Sequence, residues 1–225
     1  MNSMKPHHWD FAAVLDNWQI LASGLIGTFE LALASLLCGT AIGLVVGAAR
    51  YSARPLLHWP ATAYVEFFRN TPVLVQIIWF FFALPILIQV DLSPYVAATL
   101  ALSLNTGAFM AEIFRGGIRS IHRGQWEAAR AVGMTYMQCM RRVILPQAIK
   151  RMLPAFTNRA IELFKMTTLA SAIAFHEVLY GAKTIAATHF NSIEAYTTVA
   201  FIFFGLVYPM VQFLYAIERN LKRGD

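Results

Sequence analysis

Five stretches of this chain, at residues 20–49, 61–90, 95–113, 154–175 and 195–217, are apolar with so few interruptions that lipid rather than water is their solvent. A hydrocarbon core about 30 Å thick is crossed by about 20 helical residues. The runs therefore predict an all-α integral membrane protein with five transmembrane helices. Composition agrees, since 13% of residues are charged against roughly 25% in a soluble domain. Two runs are less regular. In "YVEFFRNTPVLVQ" the second carries Glu66, Arg69 and Pro72, which imply an interfacial first part before the clean run 73–90. The fourth contains Glu162 and Lys165 and must face protein or a water-filled cavity. Three spans would leave apolar runs unused, and seven would need runs the chain lacks.

The net charge of +6 suits nucleic acid or a membrane surface, and the positions of the cations decide between them. With the N-terminus outside, fifteen of the eighteen Lys and Arg fall on the inner side: Arg50, Arg54 and Arg69, then nine from Arg115 to Arg159, then Arg219, Lys222 and Arg223. Lys5 and Lys183 are outside, and Lys165 lies within the fourth span. Basic residues concentrate in cytoplasmic loops, so the C-terminus is expected inside. The start of the chain carries Asp10 and Asp16 before its first apolar run and does not read as a cleavable signal peptide. Cys38 and Cys139 have no metal or redox spacing.

The most polar stretch, "GQWEAARAVGMTYMQCMRRVILPQ" (Gly124 to Gln147), separates the third and fourth spans. Gly124 is an acceptable N-cap that puts Glu127 at the third helical position, near free backbone N–H groups. Gly133 supplies a positive φ to end the helix. Thr135 with Gln138 forms a second capping box, opening a helix that Pro146 kinks or ends. A helix over 125–132 is roughly 12 Å long and too short to stand alone in water. It must pack on something, and Ala128, Ala129 and Ala131 offer a small face beside the aromatic Trp126 and the charge of Glu127. One reading packs it only on its own protein. A DNA-reading helix-turn-helix with Arg141 and Arg142 is disfavoured, because a motif pinned between membrane spans has poor access to a major groove. No nucleic acid is expected as a partner.

Glu127-Ala128-Ala129, then Gly133, then Leu145-Pro146 resembles the EAA loop of binding-protein-dependent ABC importer permeases, with Val143 where that pattern has Ile. Flanking stretches at 64–76 and 111–129 are similar to permeases for polar amino acids, and the resemblance runs from Gly24 to Arg219. It implies a bacterial inner-membrane protein with a periplasmic segment at 1–19, one transmembrane domain at 20–219 with its coupling loop at about 120–146, and a cytoplasmic tail at 220–225. It implies that Trp126, Glu127, Ala128, Ala129, Gly133, Leu145 and Pro146 form a coupling element on a separate ATPase dimer. It also implies a second permease subunit, identical or related, and a periplasmic solute-binding protein. The chain has no GxxxxGK[ST] phosphate loop, so ATP and magnesium are expected on the ATPase partner, with no cofactor bound here.

Candidate pathway residues are the polar ones inside apolar runs: Glu30, Asn105, Glu162, Lys165, Thr167 and Thr168. Glu162 and Lys165 are spaced for an i, i+3 ion pair; alternatively Lys165 meets a substrate carboxylate beside a central cavity. "KMTTL" resembles the Lys-x-Ser/Thr-Ser/Thr-Leu stretch of polar amino-acid permeases, with Met166 replacing a frequent Asp or Asn. That departure favours an acidic or neutral amino acid, such as glutamate, aspartate or glutamine, over basic or opine-like substrates. For Asn105 and Thr106 an interhelical hydrogen bond is the expected use ahead of a pathway role. Glu112 is a further buried charge, at a different depth from Glu30. His7, His8, His176, Glu177 and His189 suit interfaces rather than metal. Gly39, Gly43 and Gly47 form a packing stripe. No Ser/His pair or paired acids at one depth suggest an enzyme.

Overall fold

The computed structural model describes residues 8–52 and 54–222, all in helices and turns with no strand among them. Lys5, His7 and Arg223, and the side chains of Arg219 and Lys222, lie outside the described residues. The short α1 (Ala12–Asp16) leads into α2 (Trp18–Tyr51), which is apolar all round. Small residues, not amphipathic patterning, select its inner face: Gly24, Gly27, Thr28, Ser35, Gly39, Gly43 and Gly47 are buried. A methyl group on Gly43 would lie 2.3 Å from the Met110 side chain, and one on Gly39 2.8 Å from Thr106. The expected packing stripe is thus the seam between α2 and α6.

The second apolar run is not one helix. It comprises α3 (Pro55–Asn70) and a segment at Val73–Ile88 bent 105° from it. That segment consists of α4 (Val73–Ile78), a π-helical turn (Trp79–Ala83) and α5 (Leu84–Ile88). Pro72 causes the break, since it disfavours helical backbone at Thr71 and donates no hydrogen bond. Gln76 staples the corner, its Nε2 donating to the carbonyls of Phe68 and Thr71 at 3.0 Å each. The polar first part, with Glu66 and Arg69, is thereby turned away from the clean run.

Next comes α6 (Pro94–Arg119), capped by Ser93, whose Oγ accepts from the Val96 N–H at 3.3 Å. Its buried face of Ala97, Ala98, Ala101, Gly107, Ala108 and Ala111 lets α2 and α3 approach closely. After it come α7 (Arg123–Ala131) and α8 (Tyr136–Cys139), then a second π-helical turn (Met140–Ile144) and α9 (Leu145–Met166). Pro146 does not end the helix. In each π turn the wide backbone precedes a proline by two residues, at Pro85 and Pro146, giving its ring room and leaving no call on the missing N–H.

The fourth expected span, 154–175, is displaced. Its helix begins at Leu145, tightens into a 3₁₀ segment (Thr167–Ile173) and leaves through Ala174 in the left-handed region, φ 57°. A separate α10 (Val178–His189) follows, and α11 (Ser192–Lys222) closes the bundle. The turn between the 3₁₀ segment and α10 sits on α2. The His176 carbonyl oxygen would lie 2.2 Å from a methyl on Gly27, and Thr28 Oγ1 accepts from the Val178 N–H at 3.3 Å. Glu177, fully buried, caps α10 by accepting from the N–H groups of Leu179 at 2.9 Å and Tyr180 at 2.7 Å. Its role is therefore internal, not interfacial.

Among the described residues, three helices are long and apolar enough to cross a membrane: Trp18–Tyr51, Pro94–Arg119 and Ser192–Ala216; the bent pair makes a fourth. Helix α9 has the length for a fifth, but Lys150, Arg151, Arg159, Glu162 and Lys165 make it too polar to qualify by composition. Five spans are thus not reached on apolarity alone.

Candidate functional site

Two surfaces gather the functional residues expected from sequence. On the first, α7 projects from a small core of Ile121, Ala129, Cys139, Ile144, Ala148 and Met152. The cap is His122, not Gly124: His122 Nδ1 accepts from the Gly124 N–H at 3.1 Å. The helix therefore starts two residues earlier than the Gly124 cap implies, and Glu127 lies in its second turn, beyond reach of the free N–H groups. The end is as expected. Gly133 has φ +79°, its N–H bonds the Arg130 carbonyl at 2.9 Å, and the Met134 N–H bonds that of Ala129 at 3.1 Å. Thr135 and Gln138 form the reciprocal box, with bonds of 3.3 and 3.0 Å.

The small face divides. Ala129 packs inward and anchors α7, whereas Ala128 and Ala131 are exposed beside Glu127 and Arg130. Trp126 is partly buried and stacks on Tyr136, ring centroids 6.0 Å apart. Gln147 ties the base of α9 to α7 through Gln125, 3.1 Å away. Pro146 sits in the first turn of α9, and Leu145, Val132, Tyr136 and Met137 are exposed. The result is a short helix held rigidly from below, with a mixed charged and apolar outer face.

The second surface lies along α9. Glu162 does not pair with Lys165: its Oε2 accepts from Arg159 Nη1 at 2.8 Å. Arg159, which charge counting assigns to a loop, is 3% exposed. Its Nη2 donates to Asn105 Oδ1 at 2.6 Å, and its guanidinium lies 4.0 Å from the centre of the Phe109 ring. Asn105 Nδ2 in turn donates to the Phe68 carbonyl at 2.7 Å. Asn105 is thus a buried joint between α3, α6 and α9, the interhelical role rather than a cavity-lining one. Thr167 is also buried, bonding the Phe164 carbonyl at 2.8 Å, and Thr168 bonds that of Lys165 at 2.8 Å.

Lys165 and Glu30 remain exposed. Phe29 packs on Phe164 with centroids 5.1 Å apart, bringing the two charges to one level on adjacent helices. Among the described residues Lys165 makes no ion pair. Glu112, a further buried charge in the sequence, accepts from Arg50 and, at 2.7 Å, from Arg115. Its contact with Arg115 has the i, i+3 spacing that sequence could have revealed; the partner on α2 could not have been found that way.

These surfaces belong to a bundle of apolar helices from which one short helix protrudes. The family model described as "binding-protein-dependent transport system inner membrane component" matches residues 39–223. L-cystine transport system permease protein TcyB of Bacillus subtilis is 38% identical, covering 92% of this chain and 88% of its own length. Arginine transport system permease protein ArtQ of the same organism is 34% identical, covering 96% and 99%. A crystal structure of an amino acid ABC transporter superposes with a TM-score of 0.90 at 32% identity, covering 95% of this chain and 100% of that one. The chain belongs to the binding-protein-dependent transport system inner membrane component family. It is an amino-acid ABC transporter permease, a non-catalytic membrane subunit that works with an ATPase and a binding protein.

Proposed function

We propose that the chain carries an acidic or neutral polar amino acid inward across the bacterial inner membrane by alternating access, with its N-terminus outside and C-terminus inside. The observation that carries the substrate reading is the freedom of Lys165. Arg159 takes Glu162, which leaves the Lys165 ammonium exposed and available to a substrate carboxylate. Glu30, at the same level on α2, suits the α-ammonium group of a zwitterion. Basic or opine-like substrates are the alternative, favoured by the exposed carboxylates of Glu30 and Glu162 and by the relationship to an arginine permease.

Coupling in this reading runs through α7. Glu127 meets a basic group of the ATPase, Ala128 and Trp126 permit close seating, and Gly133 with Leu145 and Pro146 sets the pose; Ala129 is the anchor rather than a contact. ATP and magnesium stay on the ATPase dimer, and a second permease subunit, identical or related, completes the pathway. Contacts must differ between the two conformations, because one of equal strength in both shifts nothing.

The test is uptake in vesicles containing the full complex and its binding protein. Loss of a hydrogen bond to a charged group is worth about 1.5–3 kcal/mol, so Lys165→Gln should raise the half-saturating substrate concentration on the order of tenfold to a hundredfold. Glu127→Arg should leave ATP hydrolysis running while uptake stops. Unchanged uptake in the first variant removes the Lys165 assignment, and intact coupling in the second removes the α7 assignment. Competition by arginine stronger than by glutamine or glutamate favours the alternative substrates.

A further inference from the structure

Where α2 ends, α3 begins, α6 ends and α7 begins, the four helices border an open recess of about 540 Å³. Guanidiniums from Arg50, Arg115, Arg119 and Arg123 line it together with His58 and Trp126, and no carboxylate is among the lining residues. Glu112 stands behind this wall, shared by Arg50 and Arg115 and 3.9 Å from Arg69. Glu66 lies 3.9 Å from Arg50 but is mostly exposed. Two carboxylates thus face three guanidiniums, and among the described residues Arg119 and Arg123 have no ion-pair partner. The Arg50 side chain is only 10% exposed and its charge is met by Glu112 and Glu66. The uncompensated cations at the recess are therefore Arg119 and Arg123, and their excess charge favours an anion there.

The chemistry of that anion follows from the donors. The guanidinium forks of Arg119 and Arg123, free of carboxylates and set beside the paired Arg50 and Arg115, suit the oxygens of a phosphate group, which accepts bidentate bonds from more than one side. The volume lies in the range of about 300–1,000 Å³ typical of small-molecule sites, more than a lone phosphate ion fills. The surroundings indicate the rest of the molecule. Beside His58, the neighbouring residues Leu56, Leu57 and Trp59 of α3 are 89%, 46% and 69% exposed. Exposed Trp and Leu next to a basic recess suit a membrane interface, with acyl chains on one side and headgroups on the other. We propose that this recess holds the phosphate of an anionic lipid headgroup, with the acyl chains lying over Leu56 and Trp59.

The experiment uses the permease assembled with its ATPase, in bilayer discs of phosphatidylcholine and phosphatidylglycerol, with retained lipid counted by mass spectrometry after graded delipidation. A surface cation contributes about fivefold to anionic-lipid affinity. Arg119→Gln with Arg123→Gln should therefore weaken phosphatidylglycerol retention on the order of twentyfold. The conservative Arg119→Lys with Arg123→Lys should keep most of it, which also shows that the recess still folds. Arg141→Gln with Arg142→Gln removes the same charge at exposed positions outside the recess and should change retention little. Retention by the Gln variant equal to the unaltered chain, or equal losses in the Arg141 and Arg142 control, overturns the proposal. Arginine-dependent binding of inorganic phosphate or glycerol 3-phosphate without lipid retention overturns the lipid source in favour of a soluble anion. Lipid held only after the ATPase is removed assigns the recess to the subunit interface and overturns it too.

Discussion

Double-mutant cycles on Arg159 separate its two hydrogen-bonded partners. Toward Asn105 the guanidinium donates at 2.6 Å with both residues buried. Toward Glu162 it donates at 2.8 Å, but that carboxylate is 50% exposed. Hydrogen bonds to charged groups contribute about 1.5–3 kcal/mol, and interhelical polar pairs in membrane proteins reach at most about 1.7 kcal/mol. The ranges meet near 1.5 kcal/mol, so that is the coupling expected between Asn105→Ala and Arg159→Ala, about a tenfold effect on the unfolding equilibrium. A solvent-open ion pair is worth about 0.2–1 kcal/mol, so coupling between Glu162→Ala and Arg159→Ala should be about a third as large. The single change Arg159→Ala also strips the cation from the Phe109 face and leaves Asn105 Oδ1 without this donor. It should cost about 1–3 kcal/mol, as expected when a buried neutral acceptor is left unsatisfied. Reversible unfolding of the purified chain in mixed micelles, followed by tryptophan fluorescence, supplies the four corners of each cycle. A Glu162 coupling equal to or larger than the Asn105 coupling would refute the weighting of burial over formal charge.

Three further outcomes follow from local geometry. Gly43→Ala drives a methyl to 2.3 Å from Met110, whereas Gly116 has nothing within 4 Å of the same position. Overpacking costs about 1–3 kcal/mol and Gly→Ala in a helix gains about 1 kcal/mol; thermal denaturation should therefore show Gly43→Ala destabilised and Gly116→Ala stabilised. Thr135→Ala removes one half of the capping box and should cost about 1 kcal/mol, read as faster amide exchange across Tyr136–Cys139. Gly133→Ala places a side chain at φ +79°, worth about 1–2 kcal/mol against the left-handed backbone, and should lower ATPase-coupled uptake more than binding of the ATPase.

What the sequence made legible was mostly local. Gly133, Thr135 and Gln138 act within a few residues of themselves, so their capping roles follow from chemistry and spacing. Gly39, Gly43 and Gly47 repeat every turn, and their packing role needs no knowledge of the opposite helix. Arg159 was misplaced because charge counting treats every cation as a loop marker, while its stabilising partner, Asn105, is 54 residues away. The partner of Glu162 was missed for a simpler reason: Arg159 lies three residues before it and Lys165 three residues after, and spacing alone does not tell the two apart. The turn into α10 depends on Gly24 and Gly27 letting another backbone touch α2, which an apolar run does not reveal. Pro72 marked its break clearly, but the 105° bend came from how Gln76 and Asn105 close the corner.

The wide turn at Met140–Ile144 stands between the protruding α7 and the helix that carries Arg159 and Lys165. If such a turn closed to ordinary α pitch, everything downstream would swivel by about 100°, and force from outside the membrane would be lost as rotation. Pro146 disfavours that slippage, because in the tighter register its ring would press on the Arg142 carbonyl. In the proposed coupling, a displacement applied at α7 would reach α9 as translation rather than spin, with Lys165 near the far end of that helix.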